Sequence, residues 1–126
     1  MTILLRTTVT EIGPDAPDLL EGGVLILFAD GAPPELAEIS VLHRVEEGPS
    51  DEGPRVGAEL RIGDVTSILT GIGGLSWAKI REIGHVVVNF NGEDVPERPG
   101  ELCASEVNTA ALIAGLKPGS EIVISA

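Results

Sequence analysis

A chain of 126 residues, 43% of them hydrophobic, is long enough to bury one compact core, and none of its apolar runs approaches the roughly 20 residues that cross a bilayer as a helix. Twenty acids against eight bases give a net charge of −12. That field repels nucleic acid and anionic membrane surfaces, and it favours a partner protein with a basic docking face. Phe28, Trp77 and Phe90 are the only aromatic residues, too few for a base-stacking or sugar-stacking platform. The lone Cys103 excludes an internal disulfide, and the N-terminus lacks a signal-peptide core, so a cytoplasmic protein is expected.

Sixteen glycines and nine prolines divide the chain into short β-branched segments, the pattern of an all-β barrel or sandwich. Ile3, Leu5 and Val9 alternate with Arg6, Thr8 and Thr10 in a first strand. Gly23 to Ala29 is an apolar run that reads as a buried strand, and Pro34 to Ile39 is compatible with one helical turn. Val41 to Val45 is a short strand carrying His43 and Arg44. Glu46 to Arg55, with its acids, prolines and glycines, reads as an exposed and mobile acidic loop. Ala58 to Ile62 and Val65 to Leu69 flank Gly63-Asp64 as a hairpin. Ser76 is placed to cap a short helix through Ile83, closed by Gly84. His85 to Phe90 is a strand ended by Asn91-Gly92; Asn108 to Leu116 is a further helical segment, and Glu121 to Ser125 a last strand. Val56 to Ile62 echoes Pro118 to Ile124, each entering a strand through glycine and a glutamate, either by duplication or by shared turn chemistry.

Few residues can carry chemistry. The two histidines and Cys103 fit no metal-ligand spacing, and no nucleotide-binding glycine motif is present, so neither metal nor cofactor is expected. Thr70-Gly71-Ile72-Gly73-Gly74 precedes a helix; its N–H groups, those of Gly71, Gly73 and Gly74 among them, are either an anion cradle or a tight strand-to-helix connection. His43 lies mid-strand, sharing a face with Val41 and Val45. A neutral imidazole, with an unperturbed pKa of roughly 6.5, is a suitable nucleophile for reversible phosphoryl transfer. Equally, His43 reads as a half-buried histidine with one ring nitrogen on a carbonyl. His85 is either a donor to a phosphoryl oxygen or a polar strand-edge residue, and Cys103 is a buried filler rather than a nucleophile.

Two blocks resemble a known family. Phe28-Ala29-Asp30-Gly31-Ala32-Pro33-Pro34-Glu35-Leu36-Ala37-Glu38, followed by His43, and Arg81-Glu82-Ile83-Gly84-His85-Val86, running on to Phe90-Asn91-Gly92, are similar to motifs of the glucitol/sorbitol-specific IIA component of the bacterial phosphoenolpyruvate-dependent sugar phosphotransferase system. Weaker matches at Thr7 to Gly13, Gly57 to Gly63, Thr70 to Gly73 and Pro118 to Ser120 fall in the family's order. Lys79-Ile80, the acidic stretch after His43 and the segment Cys103 to Gly115 depart from its pattern.

The resemblance implies a small closed or nearly closed β-barrel, with one to three short helices, as a single domain over residues 1–126. It implies a protein-histidine phosphotransferase component: His43 accepts a phosphoryl group from the phosphocarrier HPr and passes it to a IIB domain of a IIB/IIC glucitol permease. His85 is the implied phosphate support, and no direct membrane insertion is expected. The alternative is a non-catalytic regulatory or interaction module on the same barrel. For the relay, His43 has to lie in a surface depression that a donor can reach.

Overall fold

The computed structural model describes residues 2–126. Eight strands form a closed barrel in the order β1-β3-β2-β6-β7-β5-β4-β8. In chain order they are β1 (Ile3–Ile12), β2 (Val24–Ala29), β3 (Val41–Glu47), β4 (Glu59–Ile62), β5 (Val65–Ile72), β6 (Val86–Asn89), β7 (Glu101–Ala104) and β8 (Glu121–Ser125). Closure leaves no free sheet edge. The pairs β2–β3 and β6–β7 run parallel, and the other six run antiparallel.

Four helices accompany the barrel, one more than the upper expectation: α1 (Ala16–Glu21), α2 (Pro34–Ala37), α3 (Ser76–Ile83) and α4 (Thr109–Gly115). The additional one is α1; Pro17 sits in its first turn, where a missing N–H costs nothing. β7 was not expected, and among the strand limits those of β3 and β5 extend beyond expectation. β3 runs on to Glu47, so the first residues of the acidic segment belong to the barrel, and β5 runs on through Gly71 to Ile72. At α3 the N-cap is Leu75, not Ser76; the Ser76 hydroxyl donates to the Gly73 carbonyl at 2.8 Å from inside the first turn.

Alternation explains which side chains fill the barrel. Along β1, Leu5, Thr7 and Val9 turn inward and are fully buried, while Leu4, Arg6 and Thr8 between them are partly exposed. The inward residues of the other strands, including Leu25, Leu27, Leu60, Leu69, Val86, Val88, Leu102, Ile122 and Ile124, complete an aliphatic core. Trp77 and Ile80 pack the inner face of α3 onto it.

The segment after β3 is tied down by contacts to the backbone. Ser50 N–H donates to the Leu4 carbonyl at 2.9 Å. The Trp77 indole N–H and the Arg81 guanidinium both donate to the Ser50 carbonyl at 2.7 Å, and Arg81 reaches the Asp51 carbonyl at 3.0 Å. Pro54 is buried. The segment thus lies as a strap across α3, anchored mainly through main-chain carbonyls that its acidic side chains do not advertise.

Candidate functional site

His43 stands on the inward face of β3, paired with Val9 of β1, near one end of the barrel. Thr7 pairs with Val45, two residues further along β3, so Thr7 and His43 are diagonal neighbours on one face. The β1–β3 ladder slips between Arg6 and Thr7, an irregularity of the kind that re-aims a side chain. The Thr7 oxygen lies 2.6 Å from His43 Nδ1 and 2.7 Å from the Arg44 carbonyl oxygen.

The other ring nitrogen meets the end of α3. Gly84 closes that helix at φ 64°, and its N–H donates to the Ile80 carbonyl at 2.9 Å. A Cβ at Gly84 would lie 2.9 Å from the Ala29 Cβ, so glycine is required for the turn to press this closely on the end of β2. Ala29 is in turn the β2 partner of His43. This contact brings the Gly84 carbonyl oxygen to 2.7 Å from His43 Nε2.

Hydrogen positions follow from what each group can do. The Gly84 carbonyl only accepts, so Nε2 must carry a proton to bond it. Thr7 has one hydroxyl proton for two neighbours. If that proton goes to the Arg44 carbonyl, Nδ1 must also donate, to the Thr7 oxygen. All three contacts are therefore satisfied together only by the imidazolium ion. Yet burial holds the His43 pKa below its ordinary value, with the Gly84 carbonyl opposing that shift. At neutral pH the ring is neutral and one of the three contacts lacks its proton.

A cavity of about 440 Å³ opens onto this ring. Ala29, Asp30, Gly48, Pro49 and the last turn of α3 wall it, with Val45 and Ile83 as exposed apolar residues at its lip. Gly84, the neighbour of Nε2, borders the cavity, and Thr7, the neighbour of Nδ1, does not. The expectation of an accessible histidine is met only in part. The cavity reaches His43, but the side chain is 2% exposed and both nitrogens are engaged.

The other residues singled out in the sequence are not gathered here. His85 follows Gly84 directly, but its ring packs on Phe28, with centroids 5.0 Å apart and planes inclined by 34°. Its pKa is held below the ordinary value by burial and by the nearby Lys79 charge. Gly71, Gly73 and Gly74 precede the opposite end of α3, a helix about 12 Å long at 1.5 Å per residue. The Gly73 N–H is spent on the Glu101 carbonyl, and Gly71 and Gly73 fit closely against backbone at Asp94 and Pro99. Gly71 and Gly73 thus serve the tight connection, while an added Cβ at Gly74 would meet nothing within 4 Å. Cys103 is a buried residue of β7 whose thiol pKa is pushed up by burial and by the Glu101 charge, as suits a filler. Among the described residues no group of three or more His, Cys, Asp or Glu side chains converges on a metal position. No described helix is long and apolar enough to cross a membrane.

Besides Gly84, read in the sequence only as a helix end, three residues were not legible as parts of the site. Thr7 lacks any local signal, because its partner is 36 positions away. Arg44 points outward from β3, yet it borders the cavity, paired with Glu46 at 2.9 Å. Arg81 reaches the cavity wall from α3.

Fold and site together define a small closed barrel with one buried, hydrogen-bonded histidine at the floor of a mouth cavity. Comparison with known proteins gives this arrangement a family. Residues 4–123 match the family described as PTS system glucitol/sorbitol-specific IIA component. The chain is 35% identical over 100 residues to the PTS system glucitol/sorbitol-specific EIIA component of Escherichia coli (strain K12), covering 79% of this chain and 80% of that protein. The protein of the same description from Shigella flexneri is similar to the same extent. The fold matches the crystal structure of a PTS system IIA component from Enterococcus faecalis V583 with a TM-score of 0.75, at 22% identity, covering 96% of this chain and 99% of that one. The chain belongs to the glucitol/sorbitol-specific IIA component family of the sugar phosphotransferase system, and a phosphocarrier role follows from that membership.

Proposed function

We propose that His43 is the residue that carries the phosphoryl group, accepting it from an HPr-type phosphocarrier and passing it to a IIB domain of a glucitol/sorbitol permease. The observation that carries this reading is the His43 cavity. It leads to the one imidazole whose hydrogen-bond partners cannot all be satisfied in the neutral state. A group that gives up one of these contacts has a lone pair to offer.

On this reading the reaction proceeds at Nε2. The Gly84 carbonyl withdraws, and the phosphoryl group occupies the space between the ring and the cavity. Catalysis of this kind is positioning and electrostatics, since both donor and acceptor are proteins that bring their own reactive groups. Val45 and Ile83 supply apolar contact for a docking partner, and Arg44 and Arg81 lie within the same wall as compensating charge. The C-terminal end of α3, with its negative dipole end, opposes accumulation of the phosphoryl charge and so favours onward transfer.

One observation favours the second reading, a non-catalytic module in which His43 is structural. The ring is 2% exposed and hydrogen-bonded on both sides, as a satisfied core histidine would be. Incubation with phosphoenolpyruvate and the two general phosphotransfer proteins separates the readings. Intact mass rises by one phosphoryl group if His43 is the carrier, and His43→Gln abolishes the rise. An unchanged mass with an active relay refutes the carrier reading.

A further inference from the structure

We propose that Thr7 is a positioning residue for the transfer: its hydroxyl accepts the Nδ1 proton of His43 and so places the reactive lone pair on Nε2. The inference rests on the reading of His43 as the phosphoryl carrier.

Three observations support it. Thr7 is fully buried, and its oxygen is 2.6 Å from Nδ1. The same oxygen is 2.7 Å from the Arg44 carbonyl, which can take the hydroxyl proton and leave the oxygen as an acceptor toward Nδ1. Finally, Thr7 is not among the residues that line the cavity, so it can hold the imidazole without obstructing a donor. Once the Gly84 carbonyl has withdrawn from Nε2, the chain Nδ1–H to Thr7 oxygen to Arg44 carbonyl holds the ring in the Nδ1–H tautomer, as the orienting partner of a catalytic histidine commonly does.

The transfer then balances as follows. With the Gly84 carbonyl withdrawn, the neutral ring carries its proton on Nδ1. The Nε2 lone pair attacks the phosphorus of the donor protein's phosphohistidine. The Nε2–P bond forms, the donor's N–P bond breaks, and the donor imidazole keeps that electron pair. The His43 ring becomes cationic, with its Nδ1 proton still held by Thr7. In onward transfer the Nε2–P bond breaks toward the ring, which leaves as a neutral imidazole because Nδ1 has kept its proton. An unprotonated ring would have to leave as an anion, a far poorer leaving group.

The test uses the full chain phosphorylated by potassium phosphoramidate, a small donor that needs no protein docking. Long-range proton–nitrogen NMR of the ¹⁵N-labelled protein is expected to show the phosphoryl group on Nε2 and a protonated Nδ1. Thr7→Val, similar in shape and lacking the hydroxyl, is expected to accept and release phosphate about tenfold to a hundredfold more slowly, the scale of a lost charge-assisted hydrogen bond. Thr7→Ser is expected to recover rates to within about threefold of the parent. A phosphoryl group on Nδ1, an unprotonated Nδ1 in the parent, or parental rates in Thr7→Val overturns the role of Thr7 while leaving His43 as carrier. A parent chain that takes no phosphoryl group on His43 overturns both. Should Thr7→Val fail to fold, the spectrum of the parent decides alone.

Discussion

Replacing Gly84 by alanine probes the contact that sets the Gly84 carbonyl on His43. Two costs are expected. An alanine at φ 64° sits in the left-handed region, at about 1–2 kcal/mol, offset by about 0.4–1 kcal/mol from the stiffer unfolded chain. The new Cβ would also lie 2.9 Å from Ala29 Cβ, 3.1 Å from its nitrogen and 3.2 Å from its Cα. Two of these neighbours are backbone in a barrel strand and cannot swing aside, so overpacking adds about 1–3 kcal/mol. Together the loss is about 2–4 kcal/mol. Gly92 supplies the control, because it has φ 70° with nothing within 4 Å of an added Cβ. Gly92→Ala meets the backbone cost alone and is expected to lose about 0.5–1 kcal/mol. Urea unfolding followed by far-UV circular dichroism measures both. Equal losses for the two variants would refute the claim that close approach to β2, rather than helix termination, is what demands glycine at position 84.

Other consequences of the structure are measurable in the same way. His43 and His85 have folded pKa values below the unfolded one, so the unfolded chain binds more protons as the pH falls through about 6.5. Stability is therefore level above that pH and declines below it; His43→Gln is expected to show a shallower acid-side slope, and an unchanged slope would contradict burial of a neutral ring. Trp77→Phe removes the indole donor to the Ser50 carbonyl and is expected to cost about 0.5–1.5 kcal/mol. It should also speed proteolysis between residues 46 and 57, and unaltered cleavage would show that the strap is held elsewhere. Leu102→Ala, at a fully buried position of β7, is expected to cost about 2–5 kcal/mol by urea unfolding.

Much of the barrel was legible because inward and outward residues alternate and because glycine turns separate the strands. The Val56–Ile62 and Pro118–Ile124 echo has a structural counterpart: Gly57 and Gly119 share a left-handed φ near 100°, and the strands they lead into, β4 and β8, pair directly. β7 was not legible, since Leu102, Cys103 and Ala104 are all buried and show no alternation. Most of the segment Glu46 to Arg55 is exposed, as its composition indicates, but its ties to α3 are not legible, because its anchors are carbonyls held by Trp77 and Arg81. His43 was legible by residue type and by its family block. The groups that act on it were not: Thr7 depends on the register of β1 against β3, and Gly84 on where α3 ends against β2, both long-range facts. The only two histidines lie in the two family blocks, which suggests a shared site; in the structure the His85 ring packs on Phe28.

The most direct test of the account is to locate the phosphoryl group itself. The chain is phosphorylated through phosphoenolpyruvate and the general phosphotransfer proteins, then digested and mapped by mass spectrometry at alkaline pH, where a nitrogen–phosphorus bond survives. The account predicts a single acid-labile phosphoryl group on the peptide containing His43, absent from His43→Gln and present in His85→Gln. A phosphoryl group on His85, or none on either histidine while the relay proteins are themselves phosphorylated, would contradict it.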